Sequence, residues 1–107
     1  AIGNAHGIYK RDPKLDIERL KQIRDSTDIP LVLHGCSGIP ASLLKETIAS
    51  GICKINVNTE IAVGGAKAIK ELFANAPNQQ FRLESVLQYS RNKMEQIIES
   101  YISLINN

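Results

Sequence analysis

Apolar positions change their spacing several times along this chain, and each change predicts a new element. Across residues 12–27, Leu15, Leu20 and Ile23, with Ile17 three before Leu20, recur at helical spacing behind an Asp12–Pro13 start signal. The run "IPLVLHG" is short and continuously apolar, which predicts a strand buried on both faces. "GIPASLLKETIASG" returns to helical spacing, with Pro40 suited to its first turn, Leu43, Leu44, Thr47 and Ile48 as a narrow stripe, and Gly51 as its stop. In "ICKINVNTE", Ile55 and Val57 alternate with Lys54, Asn56 and Asn58, the mark of a second strand. A helix capped by Asn58 or Thr59 is predicted from Glu60, with Ile61, Ala62, Ala66, Ile69 and Phe73 inside, ending near "NAPN".

The strongest periodicity lies near the end. Leu83, Val86, Leu87, Met94, Ile97, Ile98, Tyr101, Ile102 and Ile105 recur at three- and four-residue steps, predicting one long amphipathic helix over 83–105. The opening "AIGNAHG" reads as the last residues of a strand. Strand and helix signals thus alternate, which argues for an α/β fold with a parallel sheet. Two strands and a strand end cannot close a barrel or cover an open sheet. The expectation is therefore one domain over residues 1–107 that depends on a further segment, with pairing between copies as the alternative. A start without Met points the same way.

Composition narrows the function classes. Hydrophobic residues make up 43% of the 107 positions, enough for a core, but there is no Trp and only Phe73, Phe81 and three Tyr are aromatic. Packing must rest on Ile, Leu, Val and Ala. Thirteen basic and eleven acidic residues give a net charge of +2 with no basic block, so no nucleic-acid groove is expected. No apolar stretch approaches the roughly 18–20 residues of a membrane span, and no signal-peptide pattern is predicted at the start. Cys36 and Cys53 lack metal-type spacing, so a reduced, cytoplasmic setting is expected.

Chemistry-bearing residues gather where strands end. "NAHG" brings His6 and Gly7, "LHGCSG" brings His34, Gly35, Ser37 and Gly38, and "NVNT" brings Asn56, Asn58 and Thr59. Ligands of α/β folds bind at the carboxyl ends of strands. Each histidine precedes a glycine, a setting that suits shared metal ligation by neutral imidazoles. Either histidine alone would also serve as a strand cap donating to nearby carbonyls. Two histidines leave the shell short of a third ligand; Asp12, Asp16 and Asp28 stand in helix-start or loop contexts and read as caps.

Gly7, Gly35, Ser37 and Gly38 offer backbone amides and a hydroxyl to an anion, with a phosphate pictured between two helix starts. The alternative is a tight turn that needs glycine for its dihedrals. Asn56, a polar side chain near the end of a buried strand, needs a hydrogen bond whatever its role. Lys54 shares its parity and would need a carboxylate if it pointed inward. Cys36 has no base placed to activate it and reads as a small passive side chain; Cys53 reads as core.

"AIGNAHGIY", "PLVLHGCSGIP" and "KINVNTE", in this order and spacing, resemble the C-terminal part of the class II, metal-dependent ketose-bisphosphate aldolases, which act on fructose 1,6- and tagatose 1,6-bisphosphate. The resemblance covers essentially the whole chain. It implies the last stretch of a TIM (β/α)8 barrel, from the end of strand six through strand eight with the C-terminal helices. It implies that His6 and His34 are two of three zinc ligands. It places phosphate and polar groups of dihydroxyacetone phosphate on Gly7, on Gly35, Cys36 and Ser37, and on Asn56, Val57, Asn58 and Thr59, with Asn56 also orienting the ketose during the reaction.

The implied chemistry is aldol cleavage or condensation. Zn²⁺ polarises the ketone and stabilises the enediolate that attacks glyceraldehyde 3-phosphate, with a monovalent cation as a second implied ion. The implied partners are dihydroxyacetone phosphate, a phosphorylated aldehyde or ketose bisphosphate, the N-terminal part of the barrel, and further copies of the chain in a homo-oligomer. The family's third zinc histidine and its acid/base aspartate lie on strands that this sequence does not contain. The 107 residues alone are therefore expected to be inactive. Two other readings stay open: a non-catalytic phosphate-binding or assembly module that uses the 83–105 helix, and a phosphate-binding barrel enzyme with no metal.

Overall fold

The computed structural model describes residues 1–7 and 13–106. Their elements run α1 (Ile17–Asp25), β1 (Leu31–Leu33), α2 (Ala41–Ala49), β2 (Ile52–Ile55), α3 (Thr59–Asn75) and α4 (Leu83–Asn106). They fall into two compact units, Ala1–Thr59 and Glu60–Asn107.

In the first unit, β1 and β2 pair in parallel across the crossover helix α2. α2 packs on β2, and α1 on α2. Ile2, Leu20, Leu33, Cys36, Ile39, Leu44 and Ile52 form the buried apolar core. Leu44 is fully buried, so its truncation to Ala carries a cost of about 2–5 kcal/mol. Thr47, buried beside it, donates its hydroxyl to Leu43 O at 2.7 Å, which removes the penalty of an unpaired polar group.

α1 begins later than the Asp-Pro signal predicts. Asp16 is its cap, accepting from the Arg19 amide at 2.9 Å, with Glu18 in the first turn and Arg24 in the last. Asp12 lies outside the described residues. α2 ends as expected: Ser50 closes the helix and Gly51 follows at φ +120°, with the Arg24 stem packed where a Cβ would be.

Three local expectations are revised. Residues 1–7 form no strand; this segment is tied to the unit by Asp16 N–H to Ile2 O (2.8 Å) and by the Asn4 side-chain amide donating to His34 O. Val32 is 43% exposed because a two-stranded sheet leaves one face open. Cys53 is exposed and not core. The ladder slips between Leu31↔Ile52 and Val32↔Lys54, which turns Cys53 and Lys54 outward together. Lys54 consequently needs no buried carboxylate.

The second unit is an antiparallel helical hairpin of α3 and α4. Small residues let the helices approach: a Cβ on Gly65 would lie 2.8 Å from Ser90 Oγ and 2.9 Å from Met94, and one on Gly64 would collide with Ile97. The buried stripe of α3 is therefore Gly65 and Ala68, while the expected Ala62, Ala66 and Phe73 are exposed. Phe73 and Phe81 meet edge-to-face at 5.3 Å near the turn, and Tyr101 donates to Glu60 Oε2 at 2.6 Å near the other end. The long helix forms as predicted, with Val86 buried, Met94, Ile97 and Tyr101 half-buried, and Leu83, Leu87, Ile98, Ile102 and Ile105 exposed. No helix among the described residues is long and apolar enough to cross a membrane.

Candidate active site

The polar residues predicted at strand ends do meet. Beyond Leu33 and Ile55 the two strands leave the sheet side by side, and their loops stay laced together. Asn56 N–H donates to Leu33 O at 3.0 Å, and Cys36 N–H donates to Asn56 O at 3.3 Å. The 35–38 turn closes on itself through Ile39 N–H to Cys36 O at 3.2 Å.

Glycine is required at the first position of this turn. Gly35 has φ +67°, and a Cβ there would run into the Ala5 carbonyl of the opening segment. That close approach brings His6 beside His34: the ring centroids are 5.7 Å apart at 62°. Both histidines are exposed, so both can reach a ligand. The side-chain amide of Asn56 lies 3.1 Å from His34 Nδ1 and fixes that ring's orientation; the amide of Asn4 holds the same residue by its carbonyl. Asn4 is a contributor that the sequence reading passed over. Its signal was the polar position two before His6 in "GNAHG".

A recess of about 340 Å³ opens between these loops, lined by His6, Gly7, Gly35, Ser37, Asn56, Asn58 and Thr59. Polar side chains and glycine backbone make up the lining, with no Asp, Glu, Lys or Arg among the described lining residues, as suits a polar or anionic ligand. Seven of the ten residues that the resemblance assigns to the site therefore line one space. An apolar cleft of about 290 Å³ has His6 in common with the recess and is otherwise lined by His34 and mainly by core residues such as Leu20, Leu33 and Ile52.

His34 lines the apolar cleft and is joined to the recess through Asn56. Cys36 does not face the recess: its amide is used by Asn56 O, its thiol donates to Leu33 O at 3.2 Å, and its side chain is 0% exposed. The expected contact between Cys36 and a phosphate is therefore replaced by an inward role, and burial pushes its thiol pKa above the ordinary value of 9.0. Val57 is half-buried and does not line the recess. The pictured seat between two helix starts is revised too: Thr59, where α3 begins, lines the recess, but no residue of α2 does.

Two adjacent imidazoles with an orienting amide fit part of a metal shell, because a ligating histidine is commonly fixed by a second hydrogen-bonding partner. Among the described residues no third His, Cys, Asp or Glu joins them.

Comparison with known proteins bears on the same residues. All of residues 1–107 match the family model described as fructose-bisphosphate aldolase class-II. The crystal structure of the YdjI aldolase from Escherichia coli K12 superposes with a TM-score of 0.82 at 38% identity, over 97% of this chain and 37% of that one. Fructose-bisphosphate aldolase (Fba) from Campylobacter jejuni, at 21% identity, shares the fold with a TM-score of 0.74 over 98% of this chain and 38% of that one. The chain thus spans less than two-fifths of the length of these relatives and corresponds to the C-terminal part of their TIM barrel. Matched over its whole length by that family model, with its paired histidines beside a glycine turn and a polar recess, the chain belongs to the class-II fructose-bisphosphate aldolase family.

Proposed function

We propose that this chain supplies the C-terminal part of the active site of a zinc-dependent ketose-bisphosphate aldolase. The observation that carries this reading is the pair of exposed imidazoles, ring centroids 5.7 Å apart, with His6 lining the polar recess and His34 tied to it through the Asn56 side chain. His6 and His34 would hold two of the metal's coordination positions. A third protein ligand and the proton-transferring group would come from another segment of the barrel. When bound, Zn²⁺ supplies Lewis-acid polarisation of the ketose carbonyl.

The remaining work belongs to this chain's own groups. Gly7, Gly35 and Ser37, with Asn58 and Thr59, seat a phosphate of the ketose bisphosphate or of dihydroxyacetone phosphate. Held there, the phosphate anchors the reacting carbons through binding energy remote from the bond that breaks. Asn56, already paired to His34, orients the ketose oxygens beside the metal ligand. The products of cleavage are dihydroxyacetone phosphate and glyceraldehyde 3-phosphate. The working form is a cytoplasmic homo-oligomer, and the 107 residues alone neither hold zinc tightly nor turn over substrate.

The test is metal analysis of the full-length gene product beside its His6→Ala and His34→Ala variants. Near-stoichiometric zinc in the parent, lost with activity in both variants, supports the reading. Full zinc and full turnover in either variant overturn it. The exposed Leu83, Leu87, Ile98 and Ile102 stripe on α4 favours a second reading, an assembly module without catalysis. A natural gene product of this chain's own size would support that reading.

A further inference from the structure

Cys36 lies between Gly35 and Ser37, which both line the recess, yet its side chain is fully buried. Three hydrogen bonds surround it: Cys36 N–H to Asn56 O (3.3 Å), Cys36 Sγ to Leu33 O (3.2 Å) and Asn56 N–H to the same Leu33 O (3.0 Å). Together they form a closed ring joining the end of β1, the end of β2 and the turn. Asn56, one corner of that ring, reaches His34 Nδ1 through its side chain. The turn that faces the recess and the amide that orients the histidine are thus referenced to one buried thiol.

We propose that Cys36 is a positioning residue whose side-chain size sets the spacing between the Gly35–Ser37 turn and the Asn56–His34 pair. The proposal rests on reading the recess as a phosphate seat. A close-packed interior has no room for extra atoms, so a larger side chain at 36 must displace one of its walls. Asn56 N–H continues the strand pairing by its bond to Leu33 O, whereas the turn lies beyond the paired strands and takes up the displacement. A displaced turn weakens the grip on the phosphate while leaving the reacting end in place, so the loss falls on KM more than on kcat.

The experiment is steady-state kinetics of the full-length enzyme on the ketose bisphosphate it cleaves, with Cys36→Thr, Cys36→Val, Ser37→Ala and Leu44→Ala variants. KM is expected to rise in the order Cys, Thr, Val, reaching about tenfold in Cys36→Val with kcat changed by less than about threefold. The threonine variant keeps a donor for Leu33 O and keeps the series readable if the valine variant does not fold. Leu44→Ala, equally buried in the core, is expected to lower Tm without raising KM, which separates positioning from general destabilisation. An unchanged KM in the Cys36 variants, with KM raised in Ser37→Ala, overturns the proposal alone. An unchanged KM in Ser37→Ala and in the Cys36 variants overturns the phosphate seat and the proposal with it.

Discussion

The side-chain amide of Asn56 stands 3.1 Å from Nδ1 of His34, joining the end of β2 to the end of β1. One side chain thereby serves the residue beside it and the ligand space in front of it. Replacing Asn56 with Ala releases the His34 ring, and such outer partners of metal ligands cost roughly 10–100-fold in metal affinity or activity. Zinc titration and kcat/KM of the full-length Asn56→Ala enzyme should both fall within that range.

Gly35 and Gly7 both have positive φ, +67° and +95°, but their surroundings differ. A Cβ at Gly35 strikes the Ala5 carbonyl, whereas a Cβ at Gly7 meets none of the described residues within 4 Å. Gly7→Ala should therefore cost only backbone strain, on the order of 1–3 kcal/mol. Gly35→Ala should cost more, and should also push away the segment that carries His6. Denaturant midpoints of the two variants check the order, and zinc affinity checks the displacement.

The buried Cys36 should resist thiol reagents in the native enzyme. Peptide mapping after alkylation should find it unmodified until denaturant is added, at which point it labels at once. Labelling in the native state at the rate of a free thiol would contradict the packing described around it.

Much of the site was legible because its signals are local. A histidine followed by glycine where β1 ends marks His34, and the same pair in the opening segment marks His6, which the packing of Gly35 on Ala5 brings alongside. Less legible was what depends on register and on neighbours. Cys53 and Lys54 face outward together because the ladder slips beside them, and alternation alone cannot show a slip. Cys36 sits amid glycines, yet its thiol turns inward to Leu33 O, a choice made by the strand ends around it. On α3 the buried stripe follows Gly65 and Ala68, since the approach of α4 rewards small residues over the larger apolar ones that a periodicity reading favours.

The hairpin offers its own check. A Cβ on Gly65 lies under 3 Å from Ser90 and Met94, so Gly65→Val must push α3 and α4 apart. The full-length variant is expected to melt at a lower temperature while its KM stays at the wild-type value, because the residue lies on the hairpin's inner face.

The most direct measurement is a coupled assay of the full-length enzyme on fructose 1,6-bisphosphate and tagatose 1,6-bisphosphate, before and after chelation. The account predicts cleavage of a ketose bisphosphate to dihydroxyacetone phosphate and glyceraldehyde 3-phosphate, abolished by the chelator and restored by Zn²⁺. Cleavage that persists undiminished in the metal-free enzyme, or no cleavage of any ketose bisphosphate by the zinc-loaded one, would contradict it.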